Sequence, residues 1–215
     1  VCEPGERAGA GEPDPPDPAR ARGGQRRPED AGHPPAGHLP RRPRPLAEED
    51  VGCQRGDRAN HEVLDAYEQL RNYESENHLP ALRHRIEHVQ VIHPDDAARL
   101  GKMNVIASMQ PIHATSDMLM ADAFWGERSR LAYALKTQLD YGARLALGSD
   151  APVESPNPFL GLYAAVTRRR ADGSPSAEGW YPEQKLTMAE AWAGFTLGPA
   201  YAAYMETYLG RLAPN

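Results

Sequence analysis

The chain has 215 residues, of which 40% are hydrophobic and 25% charged, and its formal net charge is −6. This negative balance gives no support for a nucleic-acid partner, and Cys2 and Cys53 form neither a disulfide framework nor a Cys-x-x-Cys site. No apolar run approaches the roughly 20 residues that span a membrane, and no charged-then-apolar leader is present. The composition therefore predicts a cytoplasmic protein with no membrane contact.

Residues 1–55 differ in composition from the rest of the chain. Residues 1–50 hold 11 of the 21 prolines and no aromatic residue, so this Pro/Arg/Gly-rich segment is expected to be disordered. A Pro-rich docking tail and an Arg-rich nucleic-acid arm are alternatives, although 8 arginines against 10 acidic residues leave no basic field. A third hypothesis is that residues 1–55 are a frame-shifted or mispredicted translation of a GC-rich gene. The Pro/Arg/Gly/Ala bias of the segment favours it, and the 21 arginines against 3 lysines in the whole chain indicate the GC-rich gene.

The sequence of residues 57–109 predicts a helix, a strand, a second helix and a second strand. Asn60 suits an N-cap, and apolar residues follow it at helical spacing as far as Leu70. The β-branched stretch 82–92 predicts a strand, and Pro94 begins a helix after it. Residues 103–109 (MNVIASM) predict a second, apolar strand.

The remaining chain predicts further alternation of helix and strand. A leucine at every fourth position over residues 127–141 predicts a helix that ends at Gly142. A strand over 144–147 and a helix over 158–168 follow, and residues 187–190 (TMAE) form a capping box that opens another helix. Such alternation is typical of parallel βα units. A closed (β/α)₈ barrel needs eight units in typically ~250 residues, so the predicted fold is α/β, a partial (β/α)₈ TIM-type barrel.

One metal-binding motif is rejected on geometry. His84, Glu87 and His88 match the H-x-x-E-H pattern of a zinc-protease class, which requires a helix to bring positions i and i+4 together. This segment is predicted to be a strand, where four residues separate the two histidines by roughly 13 Å. His88, nearer the carboxyl end of the strand, is the better single ligand.

Polar side chains follow each of the three predicted strands. Asp150 comes just after the apolar run Leu145–Leu147 and the turn residue Gly148, which is where barrel enzymes carry their chemistry; the alternative is that Asp150 caps the next helix. His113 follows the second strand and His88 the first. Histidine and aspartate together suit a Zn²⁺-type centre that acidifies a water, with the carboxylate as ligand and proton acceptor.

Four ordered segments resemble amidohydrolase family 3, which includes the N-substituted formamide deformylase-like enzymes. The resemblance extends from about residue 57 to the end of the chain, and it implies a metal-dependent (β/α)₈ hydrolase that cleaves carbon–nitrogen bonds other than peptide bonds. The segments are residues 56–60 (GDRAN), 85–88 (RIEH), 110–117 (QPIHATSD) and 148–153 (GSDAPV).

The resemblance also implies residue roles. His88 would be the metal ligand after the sixth strand, Asp150 the ligand and general base after the eighth, and His113 a residue near substrate at the end of the seventh. The implied cofactor is a divalent metal, zinc by preference, and the implied partner is a small amide-type substrate. Asp117 is interpreted as a helix cap. Residues 56–215 would then form the last three or four units of the barrel.

The chain also departs from the family pattern. Cys53 stands where the fifth-strand histidine is expected, and the first-strand His-x-His motif has no counterpart. The expectation is therefore a fragment that binds zinc weakly, does not turn over, and self-associates through exposed strand edges. A non-catalytic remnant and an interaction protein that acts through its Arg/Pro-rich tail are the alternatives.

Overall fold

The computed structural model of the chain describes residues 56–212. These residues lie within a compact unit that spans residues 48–215. The predicted disorder of residues 1–55 and the question of Cys53 fall outside the described residues. Along the described part of the chain, no helix is both long enough and apolar enough to cross a lipid bilayer.

A three-stranded parallel sheet forms the centre of the unit. The strands are β1 (Arg85–Glu87), β2 (Ile106–Met109) and β3 (Leu145–Leu147), and they lie side by side in chain order. Both pairings are parallel, with Ser108 level with Glu87 on one side and Ala146 on the other. The α/β class and the parallel arrangement predicted from the alternating pattern are therefore confirmed.

Seven α-helices and three short 3₁₀ segments surround this sheet within residues 56–212. The connection from β1 to β2 and the connection from β2 to β3 both pass through helical segments, as parallel strands require. The α-helices are α1 (Asp57–Glu76), α2 (Arg99–Lys102), α3 (Pro111–Trp125), α4 (Leu135–Asp140), α5 (Pro158–Thr167), α6 (Met188–Phe195) and α7 (Leu197–Ala202), and the 3₁₀ segments are Pro94–Asp96, Gly126–Leu131 and Pro182–Gln184.

The main core lies between the sheet and its helices. Leu64 and Tyr67 of α1 are buried against Ile86, the central residue of β1. On the same face of the sheet, α6 packs so closely on β3 that a side chain at Gly194 would overlap Leu147. Burial of these side chains at roughly 1.5–3 kcal/mol each holds the short strands in place.

The first two strands are shorter than predicted. Residues 82–92 were expected to be a single strand, but β1 stops at Glu87 because His88 and Val89 adopt left-handed backbone conformations, with φ of 70° and 42°. The strand predicted over 103–109 begins only at Ile106, since Asn104 at φ 53° turns the chain after α2. Left-handed residues cannot continue a strand, and sequence periodicity does not reveal them.

Three helix predictions are also wrong in detail. The stretch 127–141 is divided, because Ala132 forms an antiparallel bridge with Val91 and the Tyr133 amide donates to the Gln90 carbonyl. Asn60 does not cap α1, which begins after Gly56. Asn60 instead lies buried within the helix and donates a 2.8 Å hydrogen bond to the Val91 carbonyl. The helix predicted from Pro94 starts as the 3₁₀ segment.

The predicted capping box is confirmed at α6. Thr187 and Glu190 form the reciprocal capping box at the start of α6. The helix predicted over 158–168 is α5, and Arg168 is its left-handed C-terminal cap. Asn157 caps the start of α5, accepting from the Phe159 amide at 3.1 Å.

A cluster of charged and aromatic side chains links the C-terminal segment to the amino ends of the strands through hydrogen bonds and ring contacts. Arg83, two residues before β1, forms two hydrogen bonds to the Glu206 carboxylate at 2.7 and 3.0 Å. Its guanidinium also lies 3.7 Å from the centre of the Tyr201 ring, which Arg144, just before β3, approaches at 3.9 Å. The Arg83 guanidinium lowers the pKa of Glu206 to about 2. The cluster therefore stabilises the end of the sheet opposite the candidate site.

Candidate metal centre

His88, His113 and Asp150 come together at the carboxyl edge of the sheet. His88 directly follows β1, His113 lies in the first turn of α3 immediately after β2, and Asp150 is three residues beyond β3. One potential ligand atom from each residue lies within 4.8 Å of the other two. One donor thus follows each of three consecutive parallel strands, and the three donors lie together. Active sites of parallel α/β folds are found at this edge of the sheet.

Two of the three donors have an unusual backbone conformation. His88 has φ 70° and Asp150 has φ 55°, in the left-handed region that costs of order 1–3 kcal/mol for a residue other than glycine. Packing nevertheless holds both conformations, and the His88 amide donates a 2.7 Å hydrogen bond to the Ser108 carbonyl of β2. Such backbone strain is concentrated at functional sites.

His113 lies between two carboxylates. Its Nε2 is 3.4 Å from Asp150 Oδ2, and its Nδ1 is 3.8 Å from Glu154 Oε1. The Ser116 hydroxyl donates to the same Glu154 oxygen at 2.6 Å, which ties α3 to the loop after β3. The His113 side chain is 13% exposed, so its ring is held but accessible.

The ring of His88 is held by a hydrogen bond to the residue that follows the neighbouring strand. His88 Nδ1 lies 2.8 Å from Oε1 of Gln110, the residue between β2 and α3. The His88 and His113 rings lie with their centres 5.9 Å apart. Sequence reasoning did not identify Gln110 or Glu154 as parts of the site. Their only sequence signal was their proximity to candidate donors, and their partners became visible only in the folded chain.

Two expectations about neighbouring aspartates are resolved by the fold. Asp150 does not cap α5, because Asn157 does so. The interpretation of Asp117 as a helix cap is wrong: Asp117 lies in the interior of α3, where it accepts hydrogen bonds from the Tyr133 hydroxyl and from Gln90 Nε2. A side chain one turn beyond His113 thereby joins α3 to the segment that follows β1.

His84 lies apart from the three donors. Its ring stacks on Tyr67 at 5.1 Å, and its Nε2 is 3.5 Å from Glu74. Burial, together with the nearby Arg71 guanidinium, lowers the pKa of His84, and the Glu74 carboxylate opposes this shift without overcoming it. His84 is therefore a neutral, packed side chain near physiological pH.

The donor set suits a divalent metal ion. Imidazole nitrogen and carboxylate oxygen are both ordinary ligands of Zn²⁺, and catalytic zinc sites use three protein ligands and leave one position open. The residues His88, His113 and Asp150 form the only such group of histidine, cysteine and carboxylate side chains within residues 56–212.

A parallel α/β sheet with this donor set at its carboxyl edge suits a metal centre, and comparison with known proteins gives the family. The model of the amidohydrolase family matches residues 50–214. The chain therefore belongs to the amidohydrolase family.

Several known sequences are similar to the chain. It is 34% identical over 162 residues to Protein LONG AFTER FAR-RED 3 of Arabidopsis thaliana and 32% identical over 161 residues to the putative amidohydrolase YtcJ of Bacillus subtilis. It is 26% identical over 143 residues to the N-substituted formamide deformylase of Arthrobacter pascens. The alignments cover 74%, 74% and 66% of this chain, but only 27%, 29% and 25% of the respective relatives.

Two solved structures are similar in fold as well as sequence. An uncharacterized metal-dependent hydrolase from Pyrococcus horikoshii OT3 superposes with a TM-score of 0.61 at 28% identity, over 74% of this chain and 30% of that one. Its counterpart from Pyrococcus furiosus gives a TM-score of 0.56 at 29% identity, over 73% and 29% of the two chains. The chain thus spans less than a third of the length of the relatives and structures it matches.

Proposed function

We propose that residues 56–212 form part of the active site of a metal-dependent hydrolase that cleaves carbon–nitrogen bonds, other than peptide bonds, in small amide-type substrates. The observation that carries this proposal is the convergence of His88, His113 and Asp150, each from a different strand end, to within 4.8 Å. Membership of the amidohydrolase family and the similarity to metal-dependent hydrolases support it.

We assign His88 and Asp150 as metal ligands, with zinc as the metal, and His113 as a residue that contacts substrate. A divalent ion bound there would lower the pKa of a water molecule and polarise a carbonyl group. Asp150 Oδ2 would accept the proton released in hydrolysis, since a carboxylate with one free oxygen is a competent base. His113 Nε2, 3.4 Å from that oxygen, would receive or return the proton.

A second role for His113 is favoured by its position. Because its Nε2 lies as near to Asp150 as ligands of one ion do, His113 would serve as the third ligand instead of a substrate contact. Equilibrium dialysis of His113→Ala against zinc distinguishes the two roles. A ligand role predicts a loss of zinc affinity comparable to that of His88→Ala, and a substrate role predicts an unchanged affinity.

We further propose that β1, β2 and β3 are the sixth, seventh and eighth strands of a (β/α)₈ barrel. Their parallel order, the crossovers through helix and the superposition on about 30% of a longer hydrolase support this interpretation. In the 215-residue chain the remaining family ligands are not provided by residues 56–212, so we expect weak zinc binding and no turnover. Stoichiometric zinc that resists a mild chelator, with turnover lost in His88→Ala, would contradict this expectation.

Self-association is the proposed behaviour of the isolated chain. Among the described strands, β1 and β3 each pair only with β2, which leaves one edge of each without a strand partner. Unpaired edges recruit further strands. Sedimentation velocity over a range of protein concentrations should show a reversible shift to dimers or larger species, and a concentration-independent monomer would remove this proposal.

A further inference from the structure

We propose that Gln110 is a positioning residue for the metal centre: its Oε1 accepts a hydrogen bond from Nδ1–H of His88 and so leaves the Nε2 lone pair of His88 available to a metal. The proposal rests on the proposed function, which makes His88 a ligand. The distance of 2.8 Å between His88 Nδ1 and Gln110 Oε1 carries it.

The chemistry of the two groups fixes the arrangement. An amide oxygen can only accept a hydrogen bond, so the proton of a neutral imidazole must lie on the nitrogen that faces it. His88 then carries its proton on Nδ1 and its lone pair on Nε2. A metal binds the lone pair, and the hydrogen bond to the other nitrogen selects the orientation of the ring.

The position of Gln110 shows that its side chain is committed to this contact. Gln110 occupies the N-cap position of α3, yet its side chain makes no capping hydrogen bond to the helix. It is only 7% exposed, so water competes poorly for its oxygen. Capping by a side chain is worth typically ~1 kcal/mol, and here the side chain is directed to His88 instead.

The backbone holds donor and acceptor in register. The His88 amide donates to the Ser108 carbonyl at 2.7 Å, which fixes the end of β1 against β2 two residues before Gln110. His88 itself has a left-handed backbone, φ 70°, so the strand ends where the ring begins its contact with Gln110. Ring and amide therefore belong to the residues that directly follow two paired strands.

The test uses the full chain without metal at pH 8.5, well above the ordinary histidine pKa of about 6.5. Long-range ¹H–¹⁵N spectra report which nitrogen of His88 carries the proton. The variants are Gln110→Leu, which removes the acceptor; Gln110→Asn, which stays polar but is one methylene group too short; and Gln110→Glu, which retains an acceptor. Gln138→Leu is the matched control, because Gln138 is a buried glutamine in α4.

We expect His88 to be the Nδ1–H tautomer in the wild-type chain, in Gln110→Glu and in Gln138→Leu. The preference for this tautomer should be lost in Gln110→Leu and Gln110→Asn. Zinc affinity should fall about 10–100-fold in the same two variants. An Nε2–H tautomer in the wild-type chain, or an Nδ1–H tautomer unchanged by removal of the acceptor, would overturn the inference. Absence of zinc binding by the wild-type chain would instead count against the proposed metal centre, since the tautomer is read without metal.

Discussion

At the scale of single residues, Asp150 is the side chain whose chemistry is hardest to replace. Asp150→Asn should keep the local fold, because asparagine tolerates the left-handed backbone found at φ 55°. It should weaken zinc binding by the chain and abolish turnover in a full-length relative that carries the same substitution, since an amide cannot accept the proton and is a poorer ligand.

Isothermal titration with zinc and kinetic assay of the relative are the measurements. Asp95→Asn is the matched control, because the Asp95 side chain is 89% exposed and lies outside the donor group. Retention of even a few per cent of kcat in the relative would remove Asp150 from the role of general base.

Gln138 offers a test of stability that is independent of function. Its side chain is fully buried, and neither its nitrogen nor its oxygen has a hydrogen-bond partner. A buried, unsatisfied amide costs about 1–3 kcal/mol, so Gln138→Leu should raise the free energy of unfolding by an amount of that order. Urea denaturation followed by circular dichroism measures the change; a loss of stability of similar size would show that the amide is satisfied in solution.

His84 should make the stability of the chain fall in mild acid. Burial and Arg71 lower its pKa in the folded state, so the unfolded chain binds a proton first as the pH falls. The free energy of unfolding should therefore decrease as the pH drops below about 6.5, the ordinary value, and level off below the folded-state pKa.

His84→Phe keeps a ring to stack on Tyr67 and should flatten this part of the pH profile. His78→Asn is the control, because His78 is exposed and its φ of 51° suits asparagine. Equal acid sensitivity of the wild-type chain and His84→Phe would assign the effect to another group.

At the scale of secondary structure, sequence reasoning located the strands but not their ends. It placed β3 within one residue because an apolar run is followed there by Gly148. It overextended β1, since nothing local marks His88 and Val89 as left-handed. The His88 amide bonds to the Ser108 carbonyl of β2 and its ring to Gln110, whereas the Val89 amide bonds to the Glu87 carbonyl. Tertiary contacts of the kind that His88 makes override local propensity.

The leucine repeat in residues 127–141 shows the same limit. Leu131 and Leu135 do face the main core, as the pattern indicated. The chain between them is not helical, because Ala132 is extended and bridges Val91, and Tyr133 is left-handed at φ 49°. Likewise, Pro111 at the first position of α3 was a readable helix signal. Recognising it would have placed His113 in a helix and Asp117 in its interior.

The cluster around Arg83 should stabilise the sheet without affecting the metal centre. Arg83→Ala removes the two hydrogen bonds to Glu206 and the contact with the Tyr201 ring, and it should lower the melting temperature clearly. Arg83→Lys should be intermediate, since lysine keeps the charge but not the planar fork.

Differential scanning fluorimetry and zinc titration are the two measurements. Arg58→Ala is the control, because the Arg58–Glu62 pair is largely exposed and such pairs contribute little. A fall in zinc affinity equal to that of His88→Ala would contradict the separation of the two ends of the sheet.

At the scale of the whole molecule, the candidate site was predictable because each donor follows its own strand along the chain. His88, His113 and Asp150 could be chosen from one sequence, and the fold brings those three together. The residues that orient them could not be chosen, since the hydrogen bond between His88 and Gln110 joins positions 22 residues apart. The sequence pattern predicts which residues are the donors, whereas the orientation of the histidine rings depends on how the folded chain packs around them.

The most direct test of the metal centre is a zinc titration of the full chain followed through the ring resonances of its histidines. We predict that the His88 and His113 signals shift together along one binding curve that saturates only in excess zinc, as a single weak site requires, and that Asp150→Asn weakens both responses. His84 and His78, which lie outside the donor group, should not respond. Zinc-induced shifts centred on those two histidines, or no shift at His88 and His113 up to millimolar zinc, would contradict the account.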